Sequence, residues 1–124
     1  MMGLDTNVLV RYIMQDDAKQ AAKATKLIES LSPDAPGFVT LVSVIELVWV
    51  LSSCFGLTRE QIAQALNALL RAKQLVVDQA DQVVRALRTY SSSSADFADC
   101  LIERTASSAG LLIAVRFLPV QLMT

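Results

Sequence analysis

Apolar positions in this 124-residue chain fall either in short unbroken runs or at helical spacing, and polar turn clusters separate the two kinds. The first run, Gly3 to Tyr12, is rich in β-branched and apolar residues and predicts a buried strand carrying Asp5, Thr6 and Asn7. From Gln15-Asp16-Asp17 to about Leu31 the pattern turns helical, with Asp16 or Asp17 as N-cap and Ala21, Ala22, Ala24, Leu27, Ile28 and Leu31 on one stripe. The cluster Ser32-Pro33-Asp34-Ala35-Pro36-Gly37 is a turn, and Phe38 to Val42 predicts a second strand. Ser43 is the expected cap of the next helix, with Glu46 at the capping-box position. That helix, to about Phe55, is apolar on nearly every side and is expected to be buried.

Gly56 ends it, and Thr58 with Glu60 and Gln61 opens a helix to about Ala72. A third strand is predicted over Gln74 to Asp78, then a helix over Ala80 to Tyr90, four linker serines, and a helix over Ala95 to Ser108 stopped by Gly110. Leu111 to Phe117 predicts a last strand. Strands alternating with helices imply an α/β fold: one domain over 1–124 with a central, mostly parallel sheet of about four strands and helices on both faces. In such sheets sites form at the carboxyl ends of the strands.

Composition narrows the chemistry. The chain has no histidine, which removes Ser-His and Cys-His nucleophilic schemes and any imidazole base. Cys54 and Cys100 lack metal-ligand spacing and read as buried, unbridged thiols. The hydrophobic fraction of 53% exceeds what a core of this size needs and points to an oligomer or partner interface as well. No apolar run reaches the roughly 20 residues that span a bilayer, and no signal peptide is evident, so the expectation is a cytoplasmic protein.

The net charge of −1 decides little, so local charge matters more. Lys19, Lys23 and Lys26 fall on one face of their predicted helix and, with Arg11, are the candidates for contact with nucleic acid; Arg85 and Arg88 are further ones. Trp49 reads as core or dimer interface.

The acids are the other candidates. A lone Asp5 in a buried strand is costly unless it is paired, hydrogen-bonded or bound to a cation. Asp96 and Asp99, three apart on a predicted helix, project about 60° apart and repel each other unless solvated or neutralised. Glu103 lies a turn further on. Each acid alone has a structural explanation, but a magnesium or manganese ion, which prefers oxygen ligands, would satisfy Asp5, Glu46, Asp96 and Asp99 together.

The stretches LDTNVLVRY, SVIELVWVL and DFADCLIERTASSAG occur in this order, and together they resemble the PIN-domain ribonucleases, most of all the VapC-type toxins of bacterial toxin–antitoxin pairs. The resemblance covers about residues 3–110 and implies a three-layer fold. It implies that Asp5, Glu46 and Asp99 bind magnesium or manganese with Asp96 beside them, and that Thr6 and Asn7 support the site. A water activated by the metal would hydrolyse an RNA phosphodiester without histidine. A homodimer and a cognate antitoxin are further implications.

The family pattern also carries a fourth acid in a stretch resembling Thr-Phe-Asp, whereas residues 111–124 contain none and Glu103 is the last carboxylate side chain. Either the C-terminus has been altered, for example by truncation or a shift of reading frame, or the fourth ligand is dispensed with. Weakened activity is one expectation, and the alternative function is an inactive PIN-like module that binds antitoxin or RNA. A phosphatase of the haloacid-dehalogenase type needs a second Asp where this chain has Asn7.

Overall fold

The computed structural model describes residues 1–110; the predicted strand Leu111 to Phe117 lies outside them. The described elements run β1 (Met2–Gly3), α1 (Thr6–Met14), α2 (Ala18–Glu29), β2 (Gly37–Val39), α3 (Leu41–Ser53), α4 (Arg59–Arg71), β3 (Leu75–Val77), α5 (Ala80–Ser91) and α6 (Phe97–Ser108). This is an α/β fold, with a parallel sheet and six helices among the described residues. The chain divides into two compact units, Met1–Ala80 and Asp81–Thr124.

The first unit holds the sheet, in the order β1-β2-β3, with Gly3 beside Phe38 and Phe38 beside Val76. Each parallel pair needs a crossover, supplied here by two helices each time. Gly37 marks a close approach, because a Cβ there would come within 2.8 Å of both Leu4 and Leu31.

The predicted first strand is largely a helix. Only Met2–Gly3 pair with β2, and Thr6–Met14 form α1. The buried positions of α1 are Thr6, Leu9 and Val10, one side of a 3.6-residue repeat. Tertiary burial of that side outweighs the strand preference of its β-branched residues. Leu9 is fully buried, so Leu9→Ala would cost about 2–5 kcal/mol. α1 packs against α2 and α3.

The helix predicted from Ser43 starts earlier. Thr40 is the N-cap of α3, its hydroxyl accepting from the Ser43 backbone N–H at 3.1 Å, so Ser43 and Glu46 form no capping box. Nor is α3 buried all round: Ser43, Val44, Leu47, Val48 and Leu51 face inward, but Val42 and Trp49 are more than 60% exposed, which takes Trp49 out of the core. Cys54, at its C-terminus, is exposed rather than buried, and neither Cys54 nor Cys100 forms a disulfide. α4 follows the prediction closely, with a Thr58–Gln61 capping box and Ile62, Leu66 and Leu69 buried.

In the second unit α5 buries Val83, Ala86, Leu87 and Tyr90, and α6 buries Phe97, Cys100 and Leu101. The Tyr90 and Phe97 rings meet edge to face, 5.7 Å apart, clamping the two helices across the serine linker. Gly110 takes a positive φ of 78° just beyond α6, a left-handed stop that suits glycine. No described helix is long and apolar enough to cross a membrane.

Candidate active site

The neighbouring strands β1 and β2 release the chain at the same edge of the sheet, the first into Asp5 and α1, the second into Thr40 and α3. The Leu4 N–H bonds the Phe38 carbonyl at 2.9 Å, which ties the two exits together. Packing of α1 on α3 then brings the first turn of one to the second turn of the other. There the Thr6 hydroxyl donates to Glu46 Oε1 at 3.1 Å, across 40 residues of sequence. Thr6 is 7% exposed, so its hydroxyl needs this partner.

Asp5 is exposed at the N-cap of α1, not buried in a strand, so the burial cost expected for it does not arise. Its backbone carbonyl accepts from Val8 N–H at 3.1 Å and starts the helix, yet its side chain makes no capping bond. Both carboxylate oxygens therefore remain available beside the positive end of the helix dipole. Glu46 is likewise exposed on α3, one oxygen oriented by Thr6.

Asp96 and Asp99 belong to the second unit. Asp96 is not within the helix but is the N-cap of α6, with extended backbone and, like Asp5, no side-chain capping bond. Asp99 is exposed in the first turn, and Glu103 is half-buried one turn on. The helical spacing expected for Asp96 and Asp99 thus becomes a cap and a first-turn position.

Asp5, Glu46, Asp96 and Asp99 form no ion pair among the described residues. Among those residues no three Asp, Glu or Cys side chains form a metal-holding group. In the first unit Glu46 is bonded to the Thr6 hydroxyl, and Asp5 precedes Thr6 in the chain. Two unneutralised carboxylates are hard oxygen donors of the kind magnesium takes, one or two at a time, while keeping several waters and substrate phosphates as its other ligands.

The basic candidates separate. Arg11 and Lys23 line a cleft between α1 and α2 together with Asn7, whereas Lys26 lies on a different depression that also holds Glu29. Lys19 is exposed near the start of α2. Thr40 is the residue that sequence reasoning missed: by starting α3 it sets the phase that turns Glu46 toward Thr6. Its signal was a cap residue directly before the apolar helix.

With this geometry in view, the PIN domain family matches residues 2–116, and the chain belongs to that family. It is similar to a VapC ribonuclease of Aquifex aeolicus (strain VF5), 28% identical over 118 residues that cover 94% of this chain and 87% of the relative. No solved structure matches the chain at a comparable level of significance.

Proposed function

We propose that this protein is a magnesium- or manganese-dependent endoribonuclease, the toxin of a type II toxin–antitoxin pair, acting as one domain over residues 1–124. The observation that carries the reading is the first-turn arrangement of α1: an uncapped Asp5 next to Thr6, whose hydroxyl orients Glu46. The likeness to a VapC ribonuclease supports the substrate class. Asp5 and Glu46 are the proposed metal ligands in the first unit, and Asp99 and Asp96 are those proposed in the second. Such an ion, when bound, supplies Lewis acidity toward the phosphodiester and lowers the pKa of water. Thr6 keeps Glu46 in one orientation, and Asn7 extends the polar rim. Of the basic candidates Arg11, Lys19, Lys23 and Lys26, Arg11 and Lys23 share one cleft and are the ones that offer positive charge to the RNA backbone.

The exposed α3 stripe of Val42, Ile45 and Trp49 supports a homodimer or antitoxin contact, and a cytoplasmic location goes with this reading. A second reading, an inactive module that binds antitoxin or RNA, is favoured by the absence of any acid in residues 111–124. RNA cleavage by the purified chain with manganese, set against a chelator and against Asp5→Asn, decides between them. Metal-dependent cleavage lost in the variant supports the nuclease; a folded wild-type chain that does not cut leaves the binding module.

A further inference from the structure

The cleft between α1 and α2 has a volume of about 320 Å³ and is lined by Asn7, Arg11, Gln20 and Lys23, with Val8 and Leu27 among its apolar walls. No carboxylate lines it. That sets it apart from the larger depression of about 770 Å³ along α2, which both Lys26 and Glu29 line. Arg11 Nη1 bonds Asp16 Oδ2 at 2.8 Å, which fixes the guanidinium from one side. Its remaining N–H donors have no protein partner among the described residues, and Lys23 has neither an ion pair nor a hydrogen bond there. Asn7 and Gln20 add neutral donors that carry no opposing charge.

Position gives this donor set its meaning. Asn7 lines the cleft and is two residues from Asp5, while Arg11 lies further along α1, about 9 Å beyond Asp5 along the helix axis. A polyanion laid along α1 from the candidate acids would pass directly over a preformed pair of cations.

We propose that this cleft seats a backbone phosphate of the RNA flanking the scissile one, gripped by Arg11 and Lys23 with Asn7 and Gln20 as neutral donors. The assignment rests on the ribonuclease reading above and narrows the basic face of α2 to one residue on that helix, Lys23, acting with Arg11 of α1. The guanidinium meets Asp16 through Nη1 alone and keeps its other N–H donors for phosphate oxygens.

The test uses the Asp5→Asn chain, so that cleavage does not obscure binding, and a mixed-sequence single-stranded RNA titrated over a range of salt. Each lost phosphate contact should reduce the slope of log affinity against log salt by about 0.7. Lys23→Ala and Arg11→Ala should each weaken binding, the double variant should lower the slope by about 0.7 in all because both cations serve one phosphate, and Lys26→Ala should leave it unchanged. Gln20→Glu, which places an acid in the cleft without touching either cation, should weaken binding more than Gln64→Glu, the same charge change on exposed α4. Thermal unfolding of each variant shows that the fold is kept.

An unchanged slope for the Lys23→Ala/Arg11→Ala double variant, or a loss for Lys26→Ala equal to that for Lys23→Ala, overturns the cleft. If the wild-type chain still cuts RNA in that case, the ribonuclease reading survives alone. A chain that neither binds nor cuts RNA at any salt overturns both.

Discussion

Asp5 and Asp17 are the same residue at the same position of consecutive helices, yet they do different work. Asp17 turns its carboxylate back on α2 and accepts from the Lys19 and Gln20 backbone N–H groups, both at 3.1 Å. Asp5 leaves the first turn of α1 without that bond. Asp96 repeats the second behaviour at α6, while Thr40 and Thr58 repeat the first at α3 and α4. Capping is worth about 1 kcal/mol, and a good capping residue that forgoes it is free to hold something else. The two aspartates that forgo it are both candidate ligands.

The largest effect expected from this contrast is on catalysis. Asp5→Asn should lower metal-dependent RNA cleavage by on the order of 10²-fold or more, since Lewis-acid stabilisation contributes several kcal/mol and each 1.4 kcal/mol is tenfold. Single-turnover assays at saturating manganese check it, and near-normal activity would sink the assignment. Thr6→Val, which keeps the shape but removes the hydroxyl from Glu46, should cost roughly 10- to 100-fold in metal affinity or activity. Thr6→Ser should restore most of it, and equal behaviour of the two variants would deny the hydroxyl a role.

Stability should respond in the opposite order. Asp17→Ala should destabilise the fold by about 1 kcal/mol in urea unfolding and leave the turnover of folded protein unchanged. The smallest effect belongs to Asp5→Ala, within about 0.5 kcal/mol of the parent, because no capping bond is lost. A loss at Asp5 as large as that at Asp17 would show that its carboxylate supports the helix after all, and the comparison would collapse.

The sequence was most readable where a cap and an apolar repeat agreed. Asp17 before α2 and the Thr58–Gln61 box before α4 gave those helices to within a few residues. It misled where composition and period disagreed. Val8, Val10, Tyr12 and Ile13 favour a strand by residue type, whereas burial of Thr6, Leu9 and Val10 follows a helical repeat that appears only once α1 has α2 and α3 to pack on. The spacing of Ser43 and Glu46 predicts a capping box, but the partner of Glu46 is Thr6 of another helix. With Ser43 as cap it would bond its own helix start; with Thr40 as cap it reaches Thr6 instead. Local spacing cannot express a bond between residues so far apart. Asp96 and Asp99 were legible as a pair, but the exact start of α6 was not, and that start decides which of them is helical.

The Thr6–Glu46 bond also has a kinetic meaning. Its two ends stand 40 residues apart in sequence, on helices that follow the paired strands β1 and β2, so the bond is a non-local closure of the kind that slows folding. A nascent or half-folded chain therefore has its acids in hand but not in register. On the ribonuclease reading, cleavage would require the completed parallel strand pair, so an incompletely folded chain would not cut RNA.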